Sequence, residues 1–239
     1  MRNPTAAMLV IGDEILSGRT RDSNLWYLAG ELTRAGISLT EARVVGDDTA
    51  AIVAAVRALS AACDYVFTSG GIGPTHDDIT ADAVAEALGV GISLRADAMD
   101  LLGTHYQRQG LPFNEARQRM ARIPDGAELI DNPISVAPGF ILKNVHVMAG
   151  VPTIFEAMLS SVLPRLTGGA PLLSQSLRVM RGEGEIADDF GRLAAEFPDL
   201  SMGSYPFQQN GAFGTNLVIR GTDPAQLDAA MLRLVSLFG

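Results

Sequence analysis

The sequence predicts an α/β protein with a mostly parallel sheet, followed by a smaller α+β unit. Three observations carry this. Over the first 88 residues, strand-like apolar runs alternate with segments of helical period, the pattern of repeated right-handed βα units. The run at residues 6–11 is unbroken rather than alternating, as a strand buried on both faces requires. Finally, Thr167-Gly168-Gly169-Ala170-Pro171 reads as a linker. It places an α/β domain at residues 1–167 and a small domain at 172–239.

At 239 residues the chain is long enough for one sizeable core and a smaller unit, with ordinary globular composition. A formal charge of -9 argues against a nucleic-acid surface, which normally carries a basic stripe. Cys63 is the sole cysteine, so no intrachain disulfide forms, and with three histidines (His76, His105, His146) a zinc site is disfavoured. No apolar run reaches the ~18 residues that span a bilayer, and the amino terminus lacks a signal pattern. A cytoplasmic protein that engages neither nucleic acid nor membrane is expected.

In order along the chain, the first strand ends at Gly12-Asp13-Glu14, two carboxylates at the strand end where open α/β sheets place their ligands. Leu25, Leu28, Leu32 and Ala35 mark a helix that starts near Ser23 or Asn24 and stops at Gly36. Trp26 and Tyr27 lie off that stripe and read as packing residues. Residues 37–45 alternate, which predicts a strand with one face less buried. Gly46-Asp47-Asp48-Thr49 then turns into a helix carrying Ile52, Val56 and Leu59. Residues 65–67 lead into Gly70-Gly71-Ile72-Gly73-Pro74-Thr75-His76-Asp77-Asp78-Ile79-Thr80 and a helix capped by Thr80 or Asp78 and ended by Gly89. Helices follow at 98–109 and 115–122, the second carrying Arg117, Arg119 and Arg122. Strands follow at 127–130, 139–142 and 145–148, and a helix begins near Pro152. Beyond the linker, residues 175–180, 185–196, 201–205, 215–220 and 224–237 read as βαββα.

Chemistry concentrates in three strand-end loops: Gly12-Asp13-Glu14, Gly46-Asp47-Asp48 and the glycine loop with Asp77 and Asp78. In a parallel sheet these ends share one edge and converge on one pocket. Glycine N–H groups at a helix start suit a phosphate, and the carboxylates suit a hard divalent ion that keeps several waters. Ser17, Ser69 and Thr75 are hydroxyl candidates for phosphate contact. No GxSxG elbow, Walker A loop or GxGxxG fingerprint is present.

The long string from Gly70 to Thr80 resembles the GG-[LI]-GPT-x-DD-x-T signature of the CinA (competence/damage-inducible protein A) family. Its amino-terminal part is a molybdopterin-binding domain of the molybdenum-cofactor biosynthesis type. Similar strings stand at Gly12 to Gly18, Asp22 to Asn24, Asn132 to Gly139 and Gly150 to Pro152, while Ser135 and Ala149 replace a family glycine and proline. The resemblance implies a three-layer α/β sandwich that binds molybdopterin or a related pterin or nucleotide diphosphate. It also implies magnesium-, manganese- or cobalt-dependent cleavage of ADP-ribose-type pyrophosphates as an alternative. By that reading Gly70, Gly71, Gly73 and Thr75 hold phosphate, with Gly12, Ser17, Pro74 and Pro152 as further ligand contacts. Asp13, Asp47, Asp77 and Asp78 bind metal, and Asp77 and Asp78 are the catalytic candidates. A homo-oligomer is expected, amidase activity of longer relatives is not, and a non-catalytic interaction protein is the third reading.

Overall fold

In the computed structural model, which describes residues 3–209 and 211–239, the amino-terminal run becomes β1 (Thr5–Ile11), buried at all seven positions. Its side chains alternate between two cores: Ala7, Leu9 and Ile11 face one, and Ala6, Met8 and Val10 face the other. That alternation is the period-2 geometry of a strand covered on both sides. β1 lies parallel between β2 (Ser38–Val45) and β3 (Tyr65–Ser69). β8 (Val145–Met148) continues the parallel set beside β3. β7 (Gly139–Leu142) then runs antiparallel between β8 and β6 (Glu128–Ile130), which gives the order β2-β1-β3-β8-β7-β6.

Helices cover both faces and make three layers. α2 (Asn24–Arg34) and α7 (Pro152–Val162) supply Leu28, Leu32, Phe155, Met158, Leu159 and Val162 to one core. α3 (Thr49–Ala62), α4 (Thr80–Leu88) and α5 (Ala96–Arg108) supply Ile52, Val56, Leu59, Val84 and Leu102 to the other. Burying a side chain of this size contributes roughly 1.5–3 kcal/mol, so the two apolar stripes account for much of the stability. Gly89 ends α4 in the left-handed region, φ 72°, and Pro152 occupies the first turn of α7.

Several local expectations are corrected. A four-residue helix, α1 (Asp13–Leu16), directly follows β1 where a turn was read. The stretch 115–122 is not one helix: α6 (Glu115–Gln118) passes into a single 3-10 turn at Arg119–Ala121 and then β5 (Arg122–Pro124). β5 pairs antiparallel with β4 (Ile92–Leu94). Pro124 biases Ile123 toward extended backbone, and Ala121 and Ile123 are drawn into the core. β2 is an edge strand with no fully buried residue on either face. Trp26 is 81% exposed rather than packed, whereas Tyr27 rests against the core.

The described residues form two compact units, Met1–Gly169 and Ala170–Gly239. In the second, β9 (Leu173–Val179), β10 (Ser201–Gln209) and β11 (Ala212–Gly221) form an antiparallel sheet of order β10-β11-β9. α8 (Glu183–Glu196) and α9 (Pro224–Phe238) pack Ile186, Leu193, Leu227 and Leu234 onto Leu217 and Ile219. β10 and β11 run well past the residues expected from periodicity. Their distal halves carry few buried positions, and there the Arg178 guanidinium lies 3.8 Å over the Phe207 ring. Among the described residues no helix is long and apolar enough to cross a membrane.

One core group titrates. His146 on β8 is 5% exposed, stacks on Phe67 with ring centroids 4.9 Å apart, and its Nδ1 has no hydrogen-bond partner. Burial pushes its pKa from 6.5 down to about 4. The folded chain therefore holds His146 neutral while the unfolded chain protonates it below pH 6.5. The associated stability, on the order of 3 kcal/mol, is complete above 6.5 and is lost as pH falls toward 4. Urea unfolding of the native chain and of His146→Phe between pH 7.5 and 4.5 checks this. The native chain loses more stability over that interval, and equal losses would contradict the assignment.

Candidate ligand cleft

The carboxyl ends of β1, β2, β3 and β8 and the loop between β6 and β7 meet at one edge of the sheet. They enclose a cleft of about 540 Å³, within the size range of small-molecule sites. Its floor is bare backbone. Gly70 and Gly71 have φ of 109° and 68°, and a Cβ on Gly70 would stand 2.2 Å from the Ile11 carbonyl oxygen. A Cβ on Gly71 would stand 2.1 Å from Thr80 Oγ1, and one on Gly150 would stand 3.2 Å from Gly70 Cα. The ends of β1, β3 and β8 therefore touch through atoms that no other residue type leaves clear.

Thr80 ties this loop down rather than capping α4. Its hydroxyl donates to the Gly70 carbonyl at 3.0 Å and its N–H to the Gly71 carbonyl at 3.0 Å. The N-cap residue of α4 is Ile79, which makes no side-chain cap. Asp78 closes the loop from inside: its Oδ2 accepts the Thr75 N–H at 2.8 Å and the Thr75 hydroxyl at 2.6 Å. Asp47 and Asp48 divide two tasks. Asp48 caps α3 by accepting the Ala51 N–H at 2.8 Å, while Asp47 faces the cleft and accepts the Asp13 N–H at 3.0 Å. The Asp47 carboxyl is raised above its ordinary pKa, first by burial and then by the neighbouring carboxylates Asp13, Glu14 and Asp77. The Asp13 N–H acts in the opposite sense.

Gly12, Asp47, Gly70, Gly71, Gly73, Pro74, Asp77, Asp78 and Pro152 line the cleft. Four other expected site residues, Asp13, Ser17, Ser69 and Thr75, do not. The exposed Asp13 carboxylate lies against Gly46, Thr75 is engaged by Asp78, the buried Ser69 hydroxyl accepts from Asn24, and the Ser17 hydroxyl donates to the Glu14 carbonyl at 3.3 Å on the exposed side of α1. Glu14 lines the wall instead of Asp13, because α1 rotates successive side chains by about 100°. His76 is almost fully exposed, 3.9 Å from Asp77. Among the described residues no group of three or more His, Cys, Asp or Glu side chains is arranged to hold a metal.

Sequence reasoning assigned no role to Asn132, which organises the opposite wall. Its Oδ1 accepts the N–H groups of Ile134 and Ser135, and its Nδ2 donates to Ser135 Oγ at 2.6 Å and to the Ala137 carbonyl at 2.8 Å. The signal was its place in a matching string, but the string does not say that a 3% exposed side chain acts as the hub. Ser135 lines the cleft. The left-handed residue of this loop is Val136, φ 67°, a strained state for a β-branched side chain. Of the nearby arginines, Arg117 stacks over Tyr106 and Arg122 pairs with Asp82. The Arg119 guanidinium lies 3.5 Å from the Asp78 carbonyl.

These features define an α/β domain with a backbone-lined cleft at the carboxyl edge of its parallel strands. Residues 7–168 match the family described as probable molybdopterin binding domain, and the chain belongs to that family. Residues 171–239 match the FAD synthase middle domain. An Archaeoglobus fulgidus protein is 33% identical over 199 residues, 83% of this chain and 84% of its own length. A CinA-like protein of Citrifermentans bemidjiense is 41% identical over 167 residues, 68% of this chain and 40% of that longer protein. Among solved structures, a CinA protein of unknown function from Thermoplasma acidophilum superposes with a TM-score of 0.63 at 31% identity, covering 69% of this chain and 99% of that one.

The glycine floor makes a direct comparison possible. Gly70→Ala adds left-handed strain and a backbone clash and is expected to cost about 3 kcal/mol or more, whereas Gly89→Ala, with nothing within 4 Å, costs about 1 kcal/mol. Chemical denaturation of both variants measures the difference, and equal losses would mean that the loops are not in contact.

Proposed function

We propose that the cleft binds a pterin or nucleotide diphosphate, with molybdopterin-type ligands first and ADP-ribose-type nucleotides second. The observation that carries this reading is the glycine floor from Gly70 to Gly73, which lines the cleft just before the start of α4. The family membership of residues 7–168 supports it. The walls add a condition. Glu14, Asp47, Asp77 and Asp78 line the cleft, and no Lys or Arg does so among the described residues. A diphosphate entering such a site faces like charge at low dielectric, so it needs a cation as partner.

The donor set fits a magnesium-type ion held by one or two carboxylates, substrate phosphates and water, an arrangement that needs no preformed protein cage. Asp47 and Asp77 would hold it, with Asp78 shaping the loop beside it. When bound, such an ion lowers the pKa of a coordinated water and polarises a phosphoryl oxygen. The acid-lined wall therefore also favours the second reading, hydrolysis of the diphosphate: water adds to one phosphorus and the bridging oxygen leaves with the other phosphate.

Calorimetry with a pterin phosphate and with ADP-ribose, each with and without magnesium, is the test. Binding is expected only with magnesium, weakened about tenfold by Asp47→Asn, and no binding of either ligand under any condition would overturn the proposal. In parallel, ADP-ribose incubated with magnesium, manganese or cobalt is expected to yield AMP and ribose 5-phosphate. An unchanged rate in Asp78→Ala would remove Asp78 from the site.

A further inference from the structure

Beside the glycine loop the main cleft adjoins a side pocket of about 50 Å³, whose mostly apolar border also carries Glu14, Arg21, Asp22, Asn24 and Ser69. Ile11, Glu14, Thr20, Gly150 and Pro152 border both spaces. Asn24, the first residue of α2, is 3% exposed. Its Nδ2 donates to Ser69 Oγ at 2.7 Å and to the Gly150 carbonyl at 2.8 Å. A carbonyl only accepts, so the nitrogen must face Gly150 and the orientation of the amide is set. Its Oδ1 is buried and has no hydrogen-bond partner. An unmet buried acceptor is destabilising, and the fold retains this one at the base of the glycine loop.

Resting on the diphosphate reading above, we propose that Asn24 Oδ1 accepts a hydrogen bond from a sugar hydroxyl on the carbon skeleton that carries the diphosphate, which makes Asn24 a specificity-determining residue. Size and the acceptor groups on the border point to this class. A space of about 50 Å³ takes a few heavy atoms, too few for a purine or pterin ring. The carboxylates of Glu14 and Asp22 and the Asn24 oxygen are acceptors, which suits a hydroxyl-rich group. Ser69, bonded to Asn24, immediately precedes Gly70, so a sugar attached to a phosphate on the loop reaches this pocket. Oδ1 is buried, so access requires movement of the pocket border. Thr20 and Arg21 sit on the exposed irregular segment between α1 and α2, where displacement breaks no helix or strand.

The test is calorimetry of the intact chain in magnesium with ADP and with 2′,3′-dideoxy-ADP. ADP is expected to bind about tenfold more tightly, the worth of one hydrogen bond to a buried acceptor, and Asn24→Ala is expected to reduce that preference to less than about twofold. Because Asn24→Ala also removes the ties to Ser69 and Gly150, a second measurement uses the native chain. The side-chain amide resonance of Asn24 is expected to shift with ADP and not with the dideoxy analogue. Equal affinities for the two nucleotides, with or without a water on Oδ1, overturn this inference and leave the diphosphate reading standing. A preference that persists in folded Asn24→Ala, or an amide resonance that responds alike to both, removes Asn24 from the role. Failure of both nucleotides to bind overturns this inference, and the calorimetry with pterin phosphate and ADP-ribose then decides the reading beneath it.

Discussion

The structure of the first unit depends on one close approach, that of the Gly70 backbone to the Ile11 carbonyl on one side and to Gly150 on the other. Three parallel strands, β1, β3 and β8, end within contact of one another because those positions carry no side chain. Everything proposed for the cleft follows from that contact. The glycine loop lies flat across the strand ends, its carbonyls are held by Thr80, and the space above it is bounded by acids from neighbouring loops. A side chain at Gly70 would separate the strand ends and displace the floor, so stability of the sheet edge and shape of the cleft are one constraint.

The two cores set this edge in place. Alternation along β1 sends Ala7, Leu9 and Ile11 to one helical layer and Ala6, Met8 and Val10 to the other. The strand cannot slip by one residue without exchanging the two sets. Register fixed in this way fixes which residue stands last in the strand, and hence which loops face the ligand. The antiparallel insertion of β7 between β6 and β8 brings a further loop, centred on Asn132, to the same edge.

Much of this was legible in the residues. The unbroken run of β1, the stop at Gly89, Pro152 at a helix start and the convergence of acid and glycine loops are all local or periodic signals, and each reports the environment that produces it. The β4/β5 pair was not legible, because three-residue strands offer too few positions for a period to emerge. Trp26 misled, since an aromatic residue beside an apolar stripe carries no mark of which way it turns. Asn24 and Asn132 escaped for different reasons. The contacts of Asn24 lie 45 and 126 residues away, and no local pattern encodes them. Those of Asn132 are near in sequence, yet an Asn before a Pro reads as an ordinary turn. Similarly, the choice of Asp13 over Glu14 rested on order along the chain, and α1 turns Glu14 into the cleft instead.

The Asn132 loop carries a consequence for energetics. Its four internal hydrogen bonds assemble that wall from its own residues. A wall organised during folding loses little further conformational entropy when a ligand arrives. A molecule entering the cleft from that side would meet a template already set.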